Sequence, residues 1–352
     1  MVKLLLADKR VDPSVRANEA IRSASGNGHI LVVKLLLNDK RVDPAARSHE
    51  TILEASKNGR TEIVKLLLTD KRVNPAVWDN DPIIFASKNG RLEVVKLLLN
   101  DPRVNPAARN NITIEVASAN GFLEVVKSLL KDPRVNPADN SNKTIRKASE
   151  NGHTEVVKLL LKDPRVNPAD IDNYAIRGAS ENGHISIVKL LLEDSRVNPS
   201  ARDNEAIIRA SGYGCLEVVK LLLNDKRINP SARNNEAIIS ASGNGRTEIV
   251  KLLLNDKRVN PSARNNEAIR LASKNGHFEI VKLLLNDKMV NPSDWDNQSI
   301  RKASKNGHLE VVKLLLNDKR VNLSARNNEA LRYASSNGYP DVVELLLSKM
   351  FE

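Results

Sequence analysis

Hydrophobic and polar positions recur along this chain with a period of 31 residues. A glycine marks the period without insertion or deletion, at Gly28, Gly59, Gly90, Gly121, Gly152, Gly183, Gly214, Gly245, Gly276, Gly307 and Gly338. A fixed period of about 20 to 50 residues indicates a repeat architecture of stacked units. We number each copy from 1 to 31, with Asn266 at position 1 and Asp296 at position 31.

The second half of each copy predicts a helix with one narrow polar stripe. In the third copy Glu93, Lys96 and Asn100 fall three and four residues apart, at positions 14, 17 and 21, and the stretches between them are valine and leucine. A helix that is apolar on every other side needs neighbours on both flanks, which stacked copies provide. The pattern therefore predicts an all-α solenoid of stacked helix-turn-helix repeats, joined by short turns or minimal hairpin fingers.

The first half of each copy predicts a shorter helix with a small-residue face. Position 1 is asparagine in most copies, as in Asn204 and Asn235, which predicts a helix N-cap. The recurring glycine ends the helix in a left-handed conformation. Positions 3, 4, 7 and 8 share the uniform face, where we expect the position-8 serine to bond its own helix backbone. Positions 2, 5, 6 and 9 share the opposite face and vary.

The repeat resembles the ankyrin repeat in its most regular stretch. Gly307–Leu316 reads G-H-L-E-V-V-K-L-L-L, and Val321 and Asn322 follow it as that family's V-N pair. The family's T-P-L-H segment is replaced by E-A-I-R or variants, and two family glycines are missing, which shortens 33 residues to about 31. The shortened form resembles the arrays of large DNA viruses of amoebae and some protists. The resemblance implies a viral protein and a scaffold that binds protein partners.

The unbroken period predicts a single repeat array over residues 1–352. Residues 1–17 form a partial repeat, residues 18–327 form ten full repeats, and residues 328–352 form a terminal helix pair. Cys215 is the single cysteine, and no apolar run is long enough to cross a bilayer. We therefore expect a cytoplasmic protein with no membrane contact, in the host cell cytoplasm if the protein is viral.

No catalytic constellation emerges from the sequence. His29, His153, His184, His277 and His308 all occupy position 12, where Arg60 and Phe122 also stand, and neighbouring copies place such side chains about 8–10 Å apart. That spacing is too wide for one zinc ion. Cys215 also occupies position 12 and lacks a catalytic partner at motif spacing. We expect no enzyme, no cofactor, no metal site and no small-molecule substrate.

Position 24 is arginine in ten copies and methionine at Met289, and the net charge of the chain is +12. Stacked arginines could form a basic track for an acidic protein or a nucleic acid. Alternatively, each arginine is neutralised by the aspartate at position 22, as Asp225 would neutralise Arg227, and bonds the last carbonyls of the helix. We favour the second interpretation.

Position 30 and position 6 carry the candidate binding residues. Both tryptophans of the chain occupy position 30, and arginine and tryptophan are enriched in binding hot spots. At position 30 the candidates are Trp78, Arg109, Ile171, Arg202, Arg233, Arg264 and Trp295. At position 6 they are Phe85, Lys147, Arg209, Lys302 and Tyr333.

The predicted function is a protein–protein interaction scaffold whose concave face, made by the first helices and the turns, binds an unidentified protein. The basic charge of the chain favours an acidic partner. The alternative is non-specific binding of nucleic acid or another polyanion by the basic surface. Nucleic acid is the less favoured partner, because the chain has few aromatic residues on which bases could stack.

Overall fold

A computed structural model describes residues 1–351 as an all-helical protein with 23 helices and no strand in that range. The predicted fold class is confirmed, and the turns between repeats contain no hairpin finger. The helices are α1 Val2–Ala7, α2 Val15–Asn27, α3 Ile30–Leu37, α4 Ala46–Lys57, α5 Thr61–Thr69, α6 Val77–Lys88, α7 Leu92–Leu99, α8 Ala108–Ala119, α9 Leu123–Leu130, α10 Asp139–Glu150, α11 Thr154–Leu160, α12 Asp170–Glu181, α13 Ile185–Glu193, α14 Ala201–Tyr213, α15 Leu216–Leu223, α16 Ala232–Gly243, α17 Thr247–Leu254, α18 Ala263–Lys274, α19 Phe278–Leu285, α20 Asp294–Lys305, α21 Leu309–Leu316, α22 Ala325–Ser336 and α23 Pro340–Phe351.

The chain divides into two compact units, Met1–Ile171 and Asp172–Glu352. Within the first unit, α4 packs against α6 and α6 against α8, while α5 packs against α7 and α7 against α9. Within the second unit, α14, α16, α18, α20 and α22 form the same kind of row, and α15, α17, α19 and α21 form its companion. Each unit is therefore two layers thick, with first helices in one layer and second helices in the other.

The core of each unit follows the predicted faces. In the third repeat Val94, Val95 and Leu98 are buried on α7, whereas Glu93 and Lys96 are exposed on the polar stripe. The isoleucine of position 4 is fully buried throughout the complete repeats, at Ile21, Ile52, Ile83, Ile114, Ile145, Ile176, Ile207, Ile238, Ile269 and Ile300. No helix in residues 1–351 is long and apolar enough to span a lipid bilayer.

The residues before each first helix form a left-handed turn, and here the N-cap prediction is wrong. Arg202, Asp203 and Asn204 have φ of 51°, 53° and 61°. The Asn204 side chain does not cap its own helix; its Oδ1 accepts a hydrogen bond of 2.7 Å from the backbone N–H of Asn229. Left-handed backbone costs about 1–2 kcal/mol per ordinary residue and least for asparagine or aspartate. Position 1 is therefore asparagine because it tolerates this backbone and ties down the turn that closes its repeat.

The position-8 serines also behave differently from the prediction. Ten of them are fully buried, and their hydroxyls have no hydrogen-bond partner, including no bond to their own helix backbone: Ser25, Ser56, Ser87, Ser118, Ser149, Ser180, Ser211, Ser242, Ser273 and Ser304. A buried hydroxyl without a partner costs free energy. These serines therefore serve the packing as small residues, and their hydroxyls do not stabilise it.

Candidate partner-binding surface

The position-24 arginines tie one repeat to the one before it. Arg103 forms a two-pronged ion pair with Asp101, with an Nη2–Oδ2 distance of 2.7 Å. Its remaining donors reach the preceding repeat, where Nη1 bonds the Val73 carbonyl at 3.0 Å and Nη2 bonds the Leu68 carbonyl at 3.2 Å. In the first full repeat the bond from Arg41 lowers the pKa of Asp39 to about 2. The side chain thus fastens the turn to its neighbour.

The same ion pair forms in every copy that carries the arginine. The ten pairs involve Arg10, Arg41, Arg72, Arg103, Arg134, Arg165, Arg196, Arg227, Arg258 and Arg320, each with the aspartate two residues before it. The pairing half of the favoured interpretation is confirmed, because each arginine is matched by its aspartate. The carbonyls that the arginines bond belong to the preceding repeat and not to their own helix. These arginines do not form a row of uncompensated charge for a polyanion to follow.

Position-12 side chains also join neighbouring repeats, at the C-terminal end of each first helix. The Nε2 atoms of His153, His277 and His308 lie 2.9–3.0 Å from carbonyl oxygens at position 9 of the preceding repeat. Arg60 bonds the Gly26 carbonyl in the same way, at 3.0 Å. The Cys215 thiol lies 3.3 Å from the Glu181 carbonyl, and burial raises the pKa of that thiol. These side chains satisfy carbonyls that a helix leaves free at its C-terminus.

Three of the position-30 arginines, Arg109, Arg233 and Arg264, lie on the surface but are anchored to the preceding turn. Arg233 donates to the Arg202 carbonyl at 2.7 Å, and Arg264 donates to the Arg233 carbonyl at 2.6 Å. Arg264 also pairs with Glu236 at 2.7 Å. In the first unit Arg109 bonds the Trp78 carbonyl and pairs with Asp81. Each arginine has therefore already lost much of its side-chain freedom, which lowers the entropic cost of binding a partner.

The two tryptophans remain substantially exposed. Trp78 is 47% exposed in the first unit and Trp295 is 57% exposed in the second. The Arg270 guanidinium lies 4.6 Å from the centre of the Trp295 ring, which holds one face of the indole. Ile171 is likewise exposed, at the end of the first unit. These three side chains offer apolar surface that the fold itself does not cover.

The first-helix face is only partly available, because position 5 is buried. Arg177 is 2% exposed and pairs with Glu205 at 2.7 Å, and Arg301 pairs in the same way with Glu329. Each pair joins position 5 of one repeat to position 2 of the next. The expectation that positions 2, 5, 6 and 9 share one varied outer face is therefore corrected for position 5. The buried position-5 arginines therefore join neighbouring first helices and belong to the packing.

Positions 6 and 9 meet diagonally across neighbouring first helices. Arg209, at position 6, pairs with Glu181, at position 9 of the repeat before it. Likewise Leu271 lies so close to Gly243 that a Cβ added to the glycine would sit 3.4 Å from the leucine Cδ1. In the first unit Glu54 lies over Gly26 in the same register. The varied surface is thus built from diagonal pairs, each formed by residues 28 apart in sequence.

Arg209 is a predicted site residue that bonds two carboxylates. Besides Glu181 it bonds Glu205, and the Tyr213 hydroxyl bonds Glu181 as well, which raises the pKa of that tyrosine. Burial alone would raise the pKa of Glu205, but the bond from Arg209 and the charge of Arg177 outweigh it, and the pKa is lowered. Sequence reasoning missed this cluster. The sequence feature that could have revealed it is a pair of opposite charges 28 residues apart, Glu181 and Arg209.

The other predicted position-6 residues are spread over the two units. Phe85 and Lys147 are partly exposed in the first unit, and Lys147 pairs with Glu150. Lys302 and Tyr333 are partly exposed on neighbouring helices of the second unit, and the Lys305 Nζ lies 5.1 Å from the centre of the Tyr333 ring. The structure therefore brings Lys302, Lys305 and Tyr333 to one part of the second unit.

Paired helices in two layers, with each turn bonded to the one before it, define a helical repeat protein. The model of the family described as ankyrin repeats (three copies) matches residues 20–110, 52–143, 83–172, 114–203, 145–234, 207–296 and 269–352, and the chain belongs to the ankyrin-repeat family. No curated protein matches the chain. Ankyrin repeats are in general protein–protein interaction modules.

Proposed function

We propose that this chain is a non-catalytic scaffold that binds a protein partner through the varied face of its first helices and the adjoining position-30 turns. The observation that carries the proposal is the exposure of Trp78 and Trp295 on turns whose backbones are otherwise fixed. Large aromatic side chains held on a rigid frame give contact area at a low entropic cost. The proposal thus specifies both the class of partner, a protein, and the surface that binds it.

The contrast between fixed and varied positions also supports binding of a particular partner. Positions 12 and 24 are used to join repeats, through bonds such as those of His277 and Arg103. Positions 6, 9 and 30 change from repeat to repeat on the same frame. A rigid frame with a changing surface suits recognition of one distinct partner, because specificity depends on the pattern of side chains it presents.

The alternative function, non-specific binding of a polyanion, loses its main support. It was motivated by the +12 charge and the recurring arginine at position 24. Those arginines are each paired with an aspartate and bonded within the fold, as Arg134 is to Asp132 and to the Val104 carbonyl. We therefore place the protein partner first.

We also propose that the protein acts in the cytoplasm, or in the host cell cytoplasm if it is viral. The support is the single cysteine, Cys215, which fits a reducing compartment, together with the resemblance of the shortened repeat to viral arrays. Fluorescence imaging of the tagged full chain in its native cell tests this location. Accumulation in the nucleus or at a membrane would contradict it.

Affinity capture from the native cell, read by mass spectrometry, tests the scaffold function. The bait is the full chain, compared with a Trp78→Ala/Trp295→Ala double variant. A matched control is Leu31→Ala/Met289→Ala, since these two side chains are exposed and lie outside the proposed surface. We expect a partner that the control retains and the tryptophan variant loses. If all three baits capture the same partners, the tryptophans do not anchor the partner. If the full chain captures no protein partner, the scaffold function is overturned.

A further inference from the structure

Three lysines without ion pairs lie on α18 and α20 of the second unit, and Tyr333 on α22 joins them through its ring contact with Lys305. They are Lys274, Lys302 and Lys305, which we name the lysine patch; no ion pair is formed by any of them within residues 1–351. On the same face of other repeats, Lys147 is matched by Glu150 and Arg209 by Glu181. The lysine patch is therefore a local excess of positive charge on the varied face.

The register of the repeats places two of these lysines side by side. Position 9 of one repeat meets position 6 of the next, as shown by Gly243 with Leu271 and by Lys305 with Tyr333. Lys274 is at position 9, and Lys302 is the position-6 residue of the following repeat. At the equivalent diagonal, Glu181 meets Arg209 and forms an ion pair. Here the diagonal brings two like charges together, which costs free energy until an anion binds.

The acid that would neutralise this diagonal is missing from α20. On α14, Glu205 at position 2 pairs with Arg209 four residues later. On α20 position 2 is Gln298, so Lys302 lacks the carboxylate that a glutamate would have supplied. The Gln298 amide oxygen instead accepts a hydrogen bond from Arg270, another cation. Neutral glutamine thus leaves the junction between α18 and α20 more positive than the equivalent junction at α14.

Apolar side chains flank the lysine patch. Leu271 lies one turn before Lys274 on α18, and the Tyr333 ring lies beside Lys305. The Trp295 ring, 57% exposed, stacks on Arg270 at the start of the same two helices. A ligand that crosses the patch therefore meets ammonium groups in the middle and apolar surface at the edges.

We propose that the lysine patch binds an acidic peptide segment of the partner protein, with carboxylates on the three lysines and apolar side chains against Leu271 and Tyr333. This deepens the scaffold function and rests on it. Neighbouring helices are about 8–10 Å apart, so three of them span a distance that roughly six extended residues cover. A peptide fits better than a nucleic acid, because apolar side chains flank the lysines and because the position-24 arginines, each paired with an aspartate, do not extend the patch into a charged track.

Fluorescence anisotropy with a synthetic probe tests the proposal. The probe is a fluorescein-labelled peptide in which pairs of glutamates alternate with single leucines; a second peptide carries glutamines instead. We compare the full chain with Lys274→Glu/Lys302→Glu and with the matched variant Lys226→Glu/Lys257→Glu, whose exposed turn lysines carry the same charge change. We expect the patch variant to bind the acidic probe about tenfold more weakly, and the turn variant to change less than about twofold.

The acidic-peptide inference can fail without the scaffold function failing. Equal weakening by both variants, or failure of the full chain to bind the probe, overturns the acidic-peptide inference, while the capture experiment still decides whether the chain has a protein partner. A single-stranded oligonucleotide of equal charge that binds more tightly, and that also loses affinity in the patch variant, overturns the peptide assignment in favour of nucleic acid. Binding of the acidic probe but not the glutamine probe, lost only in the patch variant, supports it.

Thermal unfolding of Lys302→Glu alone checks the register on which the proposal depends. The substitution turns a like-charge diagonal into an opposite-charge one, so we expect Tm of the free protein to rise while the acidic probe binds more weakly. A fall in Tm would show that Lys302 does not lie beside Lys274, and the proposal would fail with it. The turn substitution Lys257→Glu serves as the control for overall charge.

Discussion

Two neighbouring turns of the second unit have the same backbone shape but differ in the side chain at position 24. In the first, Arg258 pairs with Asp256 and bonds the Ile228 carbonyl at 3.0 Å, and Ile228 is buried. In the next, Met289 takes the place of the arginine and is 58% exposed. Val259, which is equivalent to Ile228, is then partly exposed. The turn itself is kept, because the Met289 N–H still bonds Asp287 at 2.8 Å.

The difference shows what position 24 contributes. The aspartate shapes its own turn in both cases, so the turn does not need the arginine. What is lost at Met289 is the bond to the preceding repeat and the cover over its β-branched residue. Because repeat proteins owe much of their stability to interfaces between neighbours, the junction at Met289 should be a weak one in the second unit.

The largest expected effect comes from removing the arginine where it is present. Arg258→Met should reduce the free energy of unfolding by about 2 kcal/mol, because it deletes two carbonyl bonds and an ion pair to a partly buried aspartate. The exposed part of the ion pair adds little to that figure. Urea unfolding gives the total, and hydrogen exchange of the α16 and α18 amides shows whether the loss is local.

Arg10→Met is the matched control for that measurement. Arg10 pairs with Asp8 at 2.6 Å but is highly exposed. Its hydrogen bonds all go to Asp8, and none goes to a carbonyl of another repeat. We expect only a small change in stability. An equal loss from both variants would mean that the aspartate pair, and not the bond between repeats, is the stabilising part.

The reverse substitution should strengthen the weak junction. Met289→Arg restores a partner for Asp287 and places donors near the Val259 carbonyl, in the geometry that Arg320 uses for the Val290 carbonyl at 2.8 Å. We expect a gain of about 1.5 kcal/mol. Met289→Lys, which has the charge without the planar fork, should gain much less. A thermal unfolding series of the three proteins tests the order, and a lysine variant as stable as the arginine variant would contradict the geometric explanation.

The sequence predicted the repeat, its two helices and their buried faces, because these depend on periodicity. The left-handed glycines and the ion pairs of the position-24 arginines were also predictable, since each depends on residues within one copy. The bonds from these arginines to the preceding repeat were not predicted. The role of Asn204 was not, because its hydrogen bond depends on a run of three left-handed residues that asparagine permits but does not require. The unpaired state of the Ser242 hydroxyl was also not predictable, because a buried serine in a helix commonly bonds its own helix backbone.

The candidate surface was only partly predictable for a related reason. Trp78 and Trp295 were found because tryptophan on a turn is unusual and the turn is exposed. The burial of Arg177 and the like-charge diagonal of Lys274 and Lys302 depend on which positions of neighbouring copies meet. That register is a three-dimensional property, which one structure reveals and a single copy of the repeat does not.

A third prediction concerns buried polar atoms that make no bond between repeats. The Ser242 hydroxyl is fully buried and has no partner. Ser242→Ala removes an unsatisfied polar atom and little volume, so we expect stability to rise by about 1 kcal/mol. Asn235→Ala is the contrasting variant, because the Asn235 Oδ1 accepts from the Asn260 N–H at 2.7 Å, and its loss should destabilise. A destabilised Ser242→Ala would show that the hydroxyl has a partner after all.

The smallest expected effect is a dependence on pH at the one junction whose position-1 residue is histidine. Asn74 donates its backbone N–H to the His49 Nδ1 at 3.0 Å, where other copies use an asparagine oxygen. Only the neutral ring can accept there. Burial lowers the pKa of His49, although the nearby Asp43 opposes the shift. The folded state therefore binds a proton at this site less readily than the unfolded chain does.

The sign of the effect follows from that lowered pKa. The contribution of His49 is complete above the ordinary histidine value of about 6.5 and is lost as pH falls through the lower pKa of the folded state. We expect His49→Asn to narrow the difference in the free energy of unfolding between pH 7 and pH 5, measured by urea unfolding at the two pH values. The position-12 histidines are the same in both proteins, so the difference isolates His49. Identical pH profiles would mean that His49 is not held by the Asn74 N–H, and the junction would then lack the tie that asparagine gives the others.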